Sequence, residues 1–353
     1  MLNKIKHLTY HSRVIKKRSK LIPKIAKGYF NTLVLKKTVL RTIELALLTE
    51  CNSKCEMCYA SKMKKNNDQY LSVSEYEKIW KQADRLGAFS VILSGGEPTL
   101  HKDFFDIVSV LDPKNSIIAL VTNSLNLNEH FLKEAKKLGI ETLHLSLDGT
   151  DPKINDKVRG TQGHFQKVME SIETAKKAGI AVYISTVVAH NGLDKMKEMV
   201  KFTKEKNIGI VFSLACVSGN WANSKDVLLT PEEWQEVQTY MRANPCIRSD
   251  WTINFSLKTE CPGGREKLNI SPYGDITGCG MNYVSFGNIR QEPLEIIWKR
   301  MGQFPAFKKR SKDCLIGADK NYIEKYIKPL SDMTVPVQID KHPKNPIPLK
   351  DLD

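Results

Sequence analysis

Three thiols crowd one short stretch, Cys51-Asn-Ser-Lys-Cys55-Glu-Met-Cys58, at C-x3-C-x2-C spacing. A loop that tight brings every sulfur within reach of one metal centre. A closed structural zinc site takes four protein ligands as a rule, whereas an iron–sulfur cluster held by three keeps one iron open. Spacing alone leaves these readings level. Position favours the cluster, because the loop follows the first predicted strand of a barrel, where an open iron could bind a substrate. The second predicted strand ends in Leu93-Ser-Gly95-Gly96-Glu97-Pro98. Paired glycines let backbone approach a ligand, and a Glu or carbonyl beside them can accept from an amine. A Gly-Gly turn by itself is common; one strand after a cysteine triad it is specific.

Further strand ends carry Thr122-Asn123-Ser124 and Ser146-Leu-Asp148-Gly149, and Arg159-Gly160 follows. Such groups can serve a diol or a carboxylate, although Asn123 and Asp148 are also ordinary turn formers. A second cysteine group is Cys261-x12-Gly274-x4-Cys279, with Cys314 beyond it. Buried structural thiols are the plain alternative for that trio, and the preferred reading for Cys216 and Cys246 taken singly. No separate metal site built on histidines is expected.

Short apolar runs at 43–49, 90–94, 116–122, 142–146, 181–188 and 209–214 alternate with helical patterns at 72–86, 104–111, 129–138, 164–178 and 193–206. Alternation of this kind means βαβ units, a parallel sheet and right-handed crossovers. Six units make an α/β fold of the incomplete (β/α)6 TIM-like type, with ligands at the C-terminal strand ends. The rhythm stops after Ser218. Thr230-Pro-Glu-Glu233 reads as a helix start, residues 268–279 as a hairpin with Pro272-Tyr-Gly-Asp275 at its tip, and 294–300 as a last helix. The expected domains are an N-terminal arm (1–38), the partial barrel (39–218), a small α+β region (219–335) and a loosely ordered Pro- and Lys-rich tail (336–353).

The 353 residues include 54 Lys and Arg against 39 Asp and Glu, a net charge of +15, with 41% hydrophobic residues. That composition excludes a disordered chain. No stretch approaches the roughly 20 apolar residues of a membrane span, and the basic N-terminus is not followed by a secretory h-region. The protein is therefore expected in the cytoplasm, with its eight cysteines reduced. Eleven of the fifteen net positive charges fall in residues 1–40, which hold no carboxylate side chain. Ile5, Leu8, Val14, Ile15, Ile22 and Ile25 recur there at roughly helical spacing, so the arm is read either as a solvated extension packed outside the core or as a basic amphipathic segment meeting an anionic membrane surface or a polyanionic partner. Nucleic acid is not expected.

From about residue 40 to 218 the sequence resembles the radical S-adenosylmethionine superfamily, through Cys51, Cys55 and Cys58 as its cluster motif and Gly95, Gly96, Glu97 and Pro98 as the motif that receives the methionine amine. Met57 stands where the family usually has an aromatic residue, and Tyr59 follows the third cysteine. The resemblance implies a [4Fe–4S] cluster whose open iron chelates S-adenosylmethionine and reduces it to methionine and a 5′-deoxyadenosyl radical. It also places Asn123, Ser146 and Asp148 near the ribose and carboxylate, with Arg159 as the carboxylate's partner. Cys261, Cys279 and Cys314 resemble the SPASM/twitch auxiliary-cluster region. Its complete form has seven cysteines and two clusters, including a C-x2-C-x5-C run absent here, so one auxiliary [4Fe–4S] cluster is implied. Cys246, Cys216, a non-cysteine group or an open position could each complete it. The expected reaction is hydrogen abstraction from a peptide or protein side chain, or alternatively dehydrogenation of a small or carbohydrate-like molecule. The reductant would be a flavodoxin or ferredoxin. A non-enzymatic iron–sulfur or zinc protein binding through its basic arm is the competing class. No catalytic residue is assigned.

Overall fold

The computed structural model describes residues 18–63, 69–224, 226–244, 247–249 and 260–353. Residues 1–17 of the arm and Cys246 lie outside them.

Six parallel strands form in sequence order: β1 (Thr42–Ala46), β2 (Ser90–Ser94), β3 (Ile117–Thr122), β4 (Ile140–Ser146), β5 (Ala181–Val188) and β6 (Gly209–Leu214). Each run is rich in Val, Ile and Leu and is covered on its outer face by helices, as both-sided burial of a parallel sheet requires. After α1 (Ile22–Tyr29), the covering helices are α2 (Val73–Arg85), α3 (Phe104–Val110), α4 (Glu129–Leu138), α5 (Pro152–Arg159), α6 (His164–Lys177) and α7 (Leu193–Glu205). Their ends are written locally. Ser72 and Glu75 form a capping box on α2, and Gly139 closes α4 in the left-handed conformation. Helix α5 has no counterpart among the expected helical patterns, and its Ile154 faces outward.

The parallel pattern runs beyond six strands. Ile247–Ser249 (β7) adds to β6 after α8 (Pro231–Ala243), whose Thr230 and Glu233 form the expected capping box. At the other side Lys267–Ile270 (β8) pairs parallel with β1, Thr42 opposite Lys267, and turns back as Asp275–Thr277 (β9). Val284–Asn288 (β10) and Val337–Gln338 (β11) complete one eleven-stranded sheet, so the C-terminal region extends the barrel's own sheet.

The C-terminal tail and the described part of the arm both pack on the core. The 336–353 tail is not loose: Ile339 and Leu352 are buried, His342 Nε2 donates to the Tyr326 carbonyl at 3.1 Å, and the Asp353 carboxylate meets Arg300 of α9 (Leu294–Gln303) at 2.6 Å. The His342 ring packs edge-on against Tyr326, which packs in turn against Phe304. At the N-terminal side, α1 lies across the base of the barrel. Arg18 donates to Gly139 O and Glu141 at the start of β4, Lys24 to Ala88 O before β2, and Gly28 lies against Arg41 and Phe89.

Candidate functional site

The cysteine loop leaves the C-terminal end of β1. Cys51 is exposed, and Cys55 and Cys58 are half-buried. Nitrogen donors surround the sulfurs: Ser53 N and Asn123 Nδ2 reach Cys51 at 3.4 and 3.7 Å, and Arg159 Nη1 reaches Cys55 at 3.8 Å. Donors of this kind suit thiolates carrying negative charge. Burial pushes the free Cys51 thiol up to about 11 and raises Cys58 as well, so loading the site releases protons.

Backbone from two other strand-end loops and from the end of α5 presses on this loop, and glycine is what permits it. A Cβ would stand 2.0 Å from Glu50 O at Gly96, 2.2 Å from Lys54 O at Gly160 and 1.9 Å from Cys58 O at Gly219. The bare face of Gly96 opens onto the start of the cysteine loop, while the residue also lines the cavity described below. The β1–β2 ladder continues there, with Gly96 N donating to Leu48 O and Glu97 N to Glu50 O, both at 2.8 Å. Asn220 donates to Cys55 O from its side chain (2.8 Å) and to Cys58 O from its backbone (3.0 Å), while Tyr283 OH donates to Tyr59 O (2.8 Å) and accepts from Gly219 N.

Among the expected cofactor residues, Gly95, Gly96, Glu97, Asn123, Ser146 and Arg159 line one cavity of about 460 Å³ together with all three cysteines. Pro98 does not line it but starts a 3-10 turn behind it. The Glu97 carboxylate is buried and accepts from Thr99, Thr122 Oγ1 (2.8 Å) and Asn123 N (2.7 Å), so it braces the end of β3. Asp148 is also corrected: fully buried behind the cavity, it accepts from Thr186 Oγ1 and Val187 N and forms an ion pair with Arg159. Burial opposes the Arg159 charge, but Asp148 and Cys55 hold its pKa above the ordinary range. Asn155 accepts from Asp148 N and bonds His164 Nδ1 at 3.0 Å.

Burial, with Arg159 nearby, lowers the His164 pKa to about 4 from 6.5. The folded state therefore stays unprotonated where the unfolded chain binds a proton. Stability should be full above about pH 6.5 and fall as pH drops towards 4, by at most about 3 kcal/mol. Urea titrations across that range should show the slope in the parent and a flatter one in His164→Gln.

The second cysteine group assembles across the same cavity. Cys261, Cys279 and Cys314 all line it. Burial raises each thiol's pKa, and Cys314 is pushed further by the other two. Cys216 also lines the cavity, but its partner is Ser218 Oγ at 2.7 Å and no influence of the trio acts on it. Among the described residues no three metal-ligating side chains converge on a single-ion site; a cubane, with irons at separate corners, asks for thiols spread around it. Between the two groups, Glu44 of β1 and Lys267 of β8 form a buried ion pair at 2.9 Å. The available sign of it was a charge inside the apolar run Ile43-Glu44-Leu45. Gly219, Asn220 and Tyr283 carried no such signal, since their contacts to the loop are long-range.

Comparison with known proteins follows these geometries. Residues 46–203 match the Radical SAM superfamily, and residues 261–317 match SPASM, described as an iron-sulfur cluster-binding domain. An AdoMet-dependent heme synthase of Methanosarcina barkeri is 24% identical over 292 residues, covering 75% of this chain and 83% of the relative. A PqqA peptide cyclase of Rhizobium meliloti is 24% identical over 281 residues, covering 75% of each. Among solved structures, Streptococcus suis SuiB bound to precursor peptide SuiA superposes with a TM-score of 0.60 at 19% identity, over 80% of this chain and 69% of that one. Native anSMEcpe with bound AdoMet and Cp18Cys peptide gives 0.57 at 18% identity, over 78% and 83%.

Proposed function

The chain belongs to the radical SAM superfamily and is a radical SAM enzyme with a C-terminal SPASM iron–sulfur domain, and from that premise we propose that it modifies a peptide or protein side chain. The observation that carries this is one cavity reaching from Cys51, Cys55 and Cys58 to Cys261, Cys279 and Cys314, with exposed Lys54, Ser61 and Asn220 at its rim. A chain laid along that rim can insert one side chain between the two cysteine groups. When bound, the [4Fe–4S] cluster and S-adenosylmethionine supply a 5′-deoxyadenosyl radical that takes a hydrogen from substrate. Cys51, Cys55 and Cys58 hold that cluster. The Gly95–Gly96 backbone, Asn123, Ser146 and Arg159 surround the nucleoside and methionine, with Glu97 bracing the end of β3 and Asp148 holding Arg159. Cys261, Cys279 and Cys314 hold one auxiliary [4Fe–4S] cluster, and a flavodoxin- or ferredoxin-type protein delivers the electron.

Anaerobic reconstitution followed by 5′-deoxyadenosine assay with peptide and small-molecule fractions of cell extract tests this. Stimulation by the peptide fraction supports it. Stimulation by the small-molecule fraction alone replaces it with the dehydrogenase reading, for which the heme synthase relatives speak.

A second observation bears on where the enzyme works. Helix α1 and the turn after it leave Phe30 and Val34 54% and 61% exposed, with Ile22 and Leu35 beside them. Exposed Lys20, Lys27, Lys36 and Lys37 flank this stripe. It lies at the base of the barrel, away from the cavity. An apolar stripe edged by cations matches an anionic bilayer surface, each nearby lysine contributing about 1 kcal/mol. The full chain should co-sediment with anionic vesicles more than with neutral ones, and Phe30→Asp/Val34→Asp should abolish the difference without altering 5′-deoxyadenosine formation. Equal recovery with both lipids would remove the membrane role.

A further inference from the structure

We propose that Glu44 and Lys267 act in opposite directions on the reduction potential of the auxiliary cluster, each offsetting the other; this rests on the reading above that Cys261, Cys279 and Cys314 hold one. The two charges are built into the backbone next to two of those cysteines. Lys267 closes the turn that begins at Cys261: its N–H donates to Pro262 O at 3.1 Å and its carbonyl accepts from Gly264 N at 2.8 Å. Glu44 sits against the residue after Cys279. The Gly280 N–H hydrogen-bonds its carboxylate, and a Cβ at Gly280 would stand 2.9 Å from Oε1. Ser94 Oγ, one residue before Gly95, donates to the same oxygen at 2.9 Å. Lys267 Nζ meets the other oxygen, also at 2.9 Å.

The side chains are only 9% and 11% exposed, so water screens their charges far less than it would at a surface. Their effect on the neighbouring sulfurs has opposite signs. The ammonium attracts negative charge placed between the two turns, and the carboxylate repels it. Burial alone would raise the Glu44 pKa, yet Lys267 and the hydrogen bonds from Ser94 and Gly280 hold it below the ordinary carboxylate range. A buried pair of this kind adds little stability over a well-packed apolar pair. Its place on the wall of the cavity, between two thiol-bearing turns, gives it an electrostatic task instead. Reduction adds one electron, taken from the one-electron donor, and therefore one negative charge to the cluster. A cation nearby favours that state and an anion opposes it.

The pair is tested on the full chain carrying Cys51→Ala/Cys55→Ala/Cys58→Ala, reconstituted anaerobically, so that only the auxiliary cluster reports. Midpoint potentials are read by EPR-monitored titration. Glu44→Gln leaves the ammonium alone and should raise the potential; Lys267→Met leaves the carboxylate alone and should lower it. Glu44→Gln/Lys267→Met should return close to the parent, and Lys267→Arg, which keeps the charge, should match it. Any other ordering of the two single variants overturns the assignment. Should Lys267→Met fail to hold a cluster, the Glu44→Gln and Lys267→Arg potentials decide by the same signs. Absence of any cluster in the triple-alanine background would instead overturn the auxiliary-site reading itself.

Discussion

Replacing Cys51, Cys55 and Cys58 together with Ala abolishes 5′-deoxyadenosine formation and takes the iron content of reconstituted protein from about eight to about four, one cubane lost of two. The expected loss is total because nothing else in the cavity can stand in for the three sulfurs. Cys216, the nearest candidate by sequence, is turned to Ser218, and the second trio lies across the cavity on its own turns. The retained four irons are as informative as the lost ones: Cys279→Ala in the same background should remove them. A parent iron count near four that Cys279→Ala leaves unchanged would reduce Cys261, Cys279 and Cys314 to structural thiols. Undiminished cleavage in the triple variant would displace the radical chemistry from this loop.

Gly219→Ala should come close to the same effect without touching a ligand. The new methyl group would stand 1.9 Å from Cys58 O and 2.6 Å from Tyr59 Cα, and the residue's φ of +56° adds strain of about 1 kcal/mol or more for any side chain. Relief requires moving the loop away from Asn220 and Tyr283, which carries Cys58 off its position. Iron should fall towards about four and 5′-deoxyadenosine to background, with the auxiliary EPR signal intact. Gly302→Ala in α9, where nothing lies within 4 Å, is the matched control and should change neither, while stabilising the fold by about 0.4–1 kcal/mol. A Gly219→Ala protein with full iron and activity would show that the loop is not held by this contact.

The six core strands were legible because each is a short apolar run bounded by polar turns, and β2, β5 and β6 begin and end where the pattern does. β1 reads longer than it is: Leu47 still bonds Ser94, so its apolar run outlasts its strand geometry. The cysteine triad and the Gly95–Pro98 segment were legible as residue types, since only a few side chains can ligate a cluster or yield space to backbone. Direction was not. Sequence cannot tell that the bare face of Gly96 yields to Glu50, or that Asp148 turns away from the cavity to hold Arg159. Those facts depend on which loop lies next to which, a matter of strand order more than of spacing. The partnership of Glu44 with Lys267 is beyond any local pattern, because it joins residues on the first and eighth strands.

That same adjacency of β1 and β8 imposes an order on the protein's birth. On the ribosome β1 emerges with Ile43 and Leu45 ready to bury, yet the strand that completes its outer side begins only at Lys267. At about 5–20 residues per second, the intervening chain takes roughly 10–45 s to appear. Throughout that interval the nascent barrel presents an apolar edge with unmet backbone hydrogen bonds, the kind of surface on which chains pair with one another. A chain stopped near residue 218 should therefore self-associate where the full chain stays apart, as size-exclusion chromatography of the two would reveal, and the protein's demand on chaperones should be greatest before its last hundred residues are made.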